Sequence, residues 1–292
     1  MNQRKKNGKE QSALDMKKVR SSLLSLLFLL IGSLLVVLLL NTFFKIPGEE
    51  QTTPESIPHS VELVAIGDSL TEGVGDSLSS GGYVSRVAEL LEEKKEVAEV
   101  ITQNFGVSGN RSDQVLSRME SDSEIKTAVE SADMVVFTVG GNDVIRIFKE
   151  ELLNVQLDSF IQPLEVYQEN LTKMIQVVHE WNPKTDIYIF GIYNPYAIYF
   201  SEIEEMQRIV DEWNQATQDT VAAFNYTHYI PIDSAFTVED PSALAQTKAT
   251  NEVIENPYLY EEDLFHPNDA GYSRMAALLL TEMEKTEAFL EE

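Results

Sequence analysis

The chain predicts an α/β protein, a five-stranded parallel sheet with helices on both faces, preceded by a single transmembrane helix. Three observations carry this. Five short apolar segments alternate with segments of helical periodicity. The connections between them are long, as parallel crossovers require. The third strand candidate, Met134 to Val139, is apolar throughout except for Thr138, which suits a strand covered on both faces.

Taken in order, Val61 to Ile66 reads as the first buried strand and stops at Gly67-Asp68-Ser69-Leu70, where Gly67 is expected to permit a sharp turn. Thr71, Gly73, Gly75 and Asp76 then read as loop. Tyr83, Val84, Val87, Leu90 and Leu91 recur at helical spacing. Val97 to Phe105 is the second strand and runs into the glycine-punctuated stretch Asn104 to Asn110. Val115, Leu116 and Met119, then Ile125 and Val129, mark further helix before the third strand, which ends in Gly140-Gly141-Asn142-Asp143.

Phe160 to Trp181 reads as a long helix and Ile187 to Ile192 as the fourth strand. Tyr193 to Phe200 is an aromatic loop, and Ser201 with Glu204 makes a capping-box pattern. Apolar residues from Ile203 to Phe224 step by three and four, a helix. Thr227 to Ile232 is the fifth strand. Residues 234–262 are irregular and acidic, and Asp263 to Asn268 leads into a last helix through Met275, Leu279 and Met283. His59, His179 and His228 are expected to be structural or idle.

Four regions follow from this pattern: a basic tail at 1–20, a transmembrane segment at 21–44, a linker at 45–60 and a globular domain at 61–292. Leu23 to Leu40 is uncharged, and the surrounding uncharged stretch from Ser21 to Phe44 has 24 residues. At ~1.5 Å per residue that is enough to span a hydrocarbon core of roughly 30 Å. Seven Lys or Arg precede it, so the positive-inside rule keeps the amino terminus in the cytoplasm and exports the rest. The rival is a cleaved signal peptide, but the run is long for one and Asn41-Thr42-Phe43-Phe44-Lys45 is a poor cleavage sequence. An uncleaved anchor in a bacterial cell membrane, with the domain outside, is the expectation. Pro47, Pro54 and Pro58 mark the tether.

Composition excludes several function classes. There is no cysteine, hence no disulfide, thiol nucleophile or thiolate zinc site. Four scattered histidines make a multi-histidine metal centre implausible. Residues 46–292 hold 14 Lys or Arg against 46 Asp or Glu, a body that repels nucleic acid and anionic headgroups.

Four segments at or after strand ends together supply the parts of an acyl-transfer site. Ser69 offers a hydroxyl. His266 can take its proton and return it to a leaving group. Asp263, three residues earlier, can hold the imidazole tautomer. The backbone N–H groups of Ser69 and Gly109 and the carboxamide of Asn142 can form an oxyanion hole. A side chain at position 109 is expected to do harm by crowding. Taken singly, each residue reads as well as a turn or cap residue; together they do not.

These blocks resemble those of the SGNH hydrolases of the GDSL lipase/esterase family: GDSL at Gly67–Leu70, NFGVSG at Asn104–Gly109, GGND at Gly140–Asp143 and DLFHP at Asp263–Pro267. The resemblance covers residues 61–285. It implies a flavodoxin-like three-layer α/β/α sandwich and ester hydrolysis through an acyl-serine, with Ser69, Asp263 and His266 catalytic and Ser69, Gly109 and Asn142 in the oxyanion hole. It implies no metal and no cofactor. The substrate is left open among a small ester, a lysolipid and an acylated glycan. The alternatives are an acyltransferase or deacetylase on a cell-wall polymer, a catalytically silent binding domain, and a metal phosphoesterase for which the ligand cluster is missing. Tyr193, Tyr196, Tyr199, Phe200, Ile147 and Phe148 are candidates either for an acyl site or for core.

Overall fold

A computed structural model describes residues 20, 22–40, 58–151, 157–197, 204–237, 256–287 and 289. The chain forms two compact units, Met1–Ser56 and Ile57–Glu292. Within the first, helix α1 spans Ser22–Leu40, with a mean hydropathy of 3.1, and is long and apolar enough to cross a membrane. The rest of the basic tail, most of the tether, Ser201 of the capping pattern, and Tyr199 and Phe200 lie outside the described residues, as does most of the acidic stretch before Asp263.

The second unit is built on five parallel strands, β1 (His59–Gly67), β2 (Val97–Gly106), β3 (Met134–Thr138), β4 (Asp186–Phe190) and β5 (Thr227–Ile230). Their order across the sheet is β2-β1-β3-β4-β5. Eight α-helices and a 3-10 turn at Asp233–Phe236 accompany them among the described residues; the α-helices are α2 (Ser69–Glu72), α3 (Tyr83–Glu92), α4 (Ser112–Ser121), α5 (Ser123–Ser131), α6 (Gly141–Glu151), α7 (Asp158–Trp181), α8 (Glu204–Val221) and α9 (Asp269–Thr286). Strand alternation assigns the core. Val61, Leu63 and Ala65 of β1, with Val136 of β3 and Tyr188 of β4, meet α3 and α9. Val64 and Ile66, with Val135, Phe137 and Ile187, meet α4 through α8 on the other face. Both faces are dry, so the expected three layers are present and the strands read as apolar runs.

β1 begins at His59, two residues before the apolar run. His59 pairs with Val97 and Ser60 with Glu99. Backbone pairing needs no apolar side chain, so this part of the strand has no hydropathic signature. His228 bonds Asp186 at 2.5 Å and packs at a tilt against the Tyr188 ring, at the amino-terminal end of the strands, away from the site described below. The chain leaves β1 toward β2 on one side and returns to β3 on the other. The loops after β1 and β3 therefore diverge and open a crevice at the carboxyl ends of the strands, where open α/β sheets bind ligands.

Candidate active site

Ser69 stands at that crevice as the first residue of α2, and it is buried. The sequence predicts loop here; the structure has one turn of helix. Asp68, not Ser69, is its cap, accepting from the Leu70 N–H at 3.1 Å. Gly67 is also present for a different reason from the one expected. It does not carry the turn: a Cβ there would lie 2.4 Å from Thr138 Oγ1, so only glycine lets β1 and β3 close up at this level.

Beneath the serine runs a one-way chain of donors. Thr138 donates to the Asp68 carboxylate at 2.8 Å. That leaves the Thr138 oxygen to accept from Thr71 at 2.7 Å, and Thr71 to accept from the Tyr83 hydroxyl at 2.9 Å. Burial, only partly offset by the Thr138 and Leu70 hydrogen bonds, pushes the Asp68 carboxyl up from 3.8 to about 6. Because the folded value lies above the unfolded one, the native state binds more protons between pH 3.8 and 6, and stability falls as pH rises through that window. Asp68→Asn removes this cost. In urea titrations its stability relative to wild type should improve by about 1 kcal/mol between pH 5 and pH 8. A pH-independent difference would mean that Asp68 carries no such penalty.

His266 Nε2 lies 2.9 Å from Ser69 Oγ, and His266 Nδ1 lies 2.5 Å from Asp263 Oδ2. The other oxygen of Asp263 accepts from the backbone N–H groups of Phe265 and His266 at 2.9 and 3.0 Å. Burial alone would raise the Asp263 carboxyl, but the bonds from the His266 ring and from these two amides outweigh it and hold the group below its ordinary range. The loop is pinned further by Tyr260 N–H on the His266 carbonyl at 2.8 Å and by the Leu259–Pro267 bridge. Leu264, between the two residues, has φ 53°, a left-handed conformation that this cross-bracing sustains.

The segment Val107–Asn110 is clamped on two sides. Glu72 of α2 accepts from the Ser108 N–H at 2.6 Å. Asn142, the second residue of α6, donates to the Asn110 carbonyl at 3.0 Å, which leaves its other N–H for a ligand. No hydrogen bond among the described residues uses the backbone N–H of Ser69 or Gly109. The structure thus gathers Ser69, Gly109, Asn142, Asp263 and His266 onto neighbouring loops, with three donors unspent. Gly109 departs from expectation in one respect. A Cβ there meets nothing within 4 Å, so a side chain would act through the backbone φ of +79° and not through crowding.

Four supporting residues, Arg118, Ser112, Asp143 and Asn170, have roles that escape a reading of the sequence. Arg118 of α4 donates to the Gly67 carbonyl (2.9 Å), the Phe105 carbonyl (3.0 Å) and the Asn110 carboxamide (2.8 Å), tying the ends of β1 and β2 to the clamped loop. Asp143 accepts from both the N–H and the hydroxyl of Ser112, locking α6 to the start of α4, and Asn170 donates to that hydroxyl. The only signal for Arg118 is its place beside Val115, Leu116 and Met119 on the buried face of a helix.

Of the acyl-site candidates, Phe148, Tyr193 and Tyr196 line a cavity beside the serine, while Ile147 belongs to the core. Among the described residues, no three His, Asp or Glu side chains are grouped as a metal site would need.

A parallel three-layer sandwich with these side chains on the connections after β1, β2, β3 and β5 has the architecture of the GDSL-type ester hydrolases. The chain belongs to the GDSL-like lipase/acylhydrolase family, whose model matches residues 65–274. It is 29% identical over 261 residues to the uncharacterized protein YpmR of Bacillus subtilis (strain 168), covering 89% of this chain and 96% of that one. It is 28% identical over 228 residues to the spore germination lipase LipC of Bacillus licheniformis, covering 75% and 95%. The fold also superposes on the lipase Lip_vut3 from a goat rumen metagenome with a TM-score of 0.63 at 23% identity, covering 76% and 96%.

Proposed function

We propose that this chain is an extracytoplasmic serine ester hydrolase that works through an acyl-Ser69 intermediate. The observation that carries this reading is the unbroken hydrogen-bond chain Ser69–His266–Asp263 at the end of β1. Ser69 Oγ attacks the ester carbonyl carbon as its proton passes to His266 Nε2. Asp263 keeps the Nδ1 proton in place and stabilises the imidazolium. The N–H groups of Ser69 and Gly109 and the free amide N–H of Asn142 hold the oxyanion. The carbon–oxygen bond to the alcohol then breaks, and that oxygen takes the proton from His266. Water repeats the sequence and releases the acid. The experiment that tests this is mass spectrometry of the protein quenched during turnover of a slow ester. An acyl adduct on the peptide containing Ser69 is expected, and turnover without one overturns the mechanism.

The oxyanion assignment makes its own prediction. Asn142→Ala should cost about 3 kcal/mol in transition-state stabilisation, read mostly in kcat. Gly109→Ala keeps its donor and should lose through strain, on the order of 1–3 kcal/mol, read as a lower urea midpoint together with lower activity. An unchanged kcat in Asn142→Ala would leave that residue as a clamp for Asn110 alone.

The same proposal divides the chain into a cytoplasmic tail at 1–20, an anchor at 21–44, a tether at 45–60 and the hydrolase at 61–292. Support comes from the length and hydropathy of α1, from the basic residues before it, and from the YpmR alignment. Residues 61–292 are too few to hold 261 aligned positions, so that likeness runs into the amino-terminal segment. Protease added to intact protoplasts should digest the domain and spare the tail, and the mature protein should retain residues 1–44.

A further inference from the structure

We propose that the cavity beside Ser69 is a short-chain acyl pocket, which makes the enzyme selective for acids of about four to six carbons. This rests on the esterase reading above and goes beyond it by naming the acid half of the substrate.

The cavity lies beside the reacting groups. Asp68 and Leu70, on either side of Ser69, line it; so do Gly141, next to Asn142, and Phe265, next to His266. From there it runs between the end of β4, α6 and α8, where its wall is made by Val144, Phe148, Ile192, Tyr196 and Val210. The remaining polar groups in the wall are bonded to protein. Thr138 bonds Asp68, the Tyr193 hydroxyl donates to the Phe265 carbonyl at 2.6 Å, and the Asn194 carboxamide bonds Tyr196 N–H and Gln207. A sugar or glycerol hydroxyl passing beyond Asp68 and Gly141 would lose its water and meet mainly apolar wall, which costs free energy. A hydrocarbon would lose nothing.

Its size sets the length of chain. The volume is ≈ 60 Å³. A water-sized occupant needs about 10–15 Å³ on this measure, and a methylene is of similar size, so there is room for roughly four to six carbons.

The acyl side, not the alcohol, fits this position. The alcohol must receive its proton from His266 and depart, whereas the cavity is walled by Asp68 and Leu70, on either side of Ser69. The acyl group stays bonded to Ser69 through the intermediate, and a side pocket next to the serine suits a group that remains. Phe265 also packs edge-on against the His266 ring, with centroids 4.8 Å apart, so a chain filling the pocket supports the ring that takes the serine proton.

The test uses the full chain in detergent with p-nitrophenyl esters from acetate to palmitate, with active sites counted by a fluorophosphonate. kcat/KM should rise about three- to fourfold per methylene up to butanoate or hexanoate. It should then fall, with dodecanoate at least tenfold below the best ester. Butanoate esters of alcohols of increasing length should differ far less. Val210→Phe, which fills the pocket, should move the optimum to acetate. Phe148→Ala, which enlarges it, should move the optimum to octanoate or longer, so the two variants shift in opposite directions even if one folds poorly. A flat acyl profile, an optimum at palmitate, a dependence that follows the alcohol, or an optimum that neither variant moves overturns the pocket while leaving the esterase reading intact. Absence of both hydrolysis and labelling would overturn the esterase reading, and the pocket with it.

Discussion

Replacing Ser69 with alanine is expected to lower kcat for ester hydrolysis by about 10⁵- to 10⁶-fold, the loss seen when an acyl-enzyme nucleophile is removed. The residue that remains should still fold. Asp68 caps α2, and alanine at the first helical position keeps both the cap and the backbone N–H offered to the oxyanion. Ser69 contributes its hydroxyl to one side-chain bond, with His266, so its loss leaves no chain of buried donors stranded. The variant's urea midpoint should thus stay close to that of wild type while activity disappears. An active-serine fluorophosphonate should label wild type and not the variant. Persistent labelling, or activity within a hundredfold of wild type, would place the nucleophile elsewhere.

The parts of this site that are legible in the sequence are those whose physics is local. Val61–Ile66 and Met134–Val139 are apolar because both faces of their strands are covered, and glycine-bearing blocks mark where these strands end. Ser69, Gly109 and Asn142 stand out since each lies within such a block, and His266 since it follows Asp263 by three residues. The unread parts depend on distant partners. Arg118 binds carbonyls contributed by two different strands, and nothing in α4 announces that. Asp143 sits in a recognised block, yet its partner Ser112 is 31 residues away. Helix α2 is four residues long and held by one side-chain cap, too short for periodicity to show. Helix α6 begins inside Gly140–Asp143, where two glycines read as a turn. His59 and Ser60 pair with Val97 and Glu99 through backbone and polar contacts, which leave no apolar pattern to read.

Asp263→Asn should lower kcat about 10⁴-fold with little change in fold, and the reason lies in which protons the loop can accommodate. Asp263 accepts on both oxygens, from the Phe265 and His266 amides on one and from His266 Nδ1 on the other. An asparagine keeps its single oxygen for the two backbone N–H groups, which preserves the turn around Leu264. Its amide nitrogen then faces Nδ1 and donates to it. That moves the ring proton to Nε2, the atom that must accept from Ser69, and the base is blocked by its own hydrogen. Asp263→Ala differs: it strips acceptors from both amides and should lower the urea midpoint as well as the rate. The pH dependence separates the two roles further. The folded Asp263 carboxyl is held below its unfolded value, so its contribution to stability is present above that unfolded value and is lost as pH falls through the folded one. Wild type should therefore lose part of its advantage over Asp263→Ala in acid, while the kinetic defect of Asp263→Asn at neutral pH persists without any matching loss of stability. An Asp263→Asn enzyme within tenfold of wild type would show that His266 takes its orientation from the loop alone.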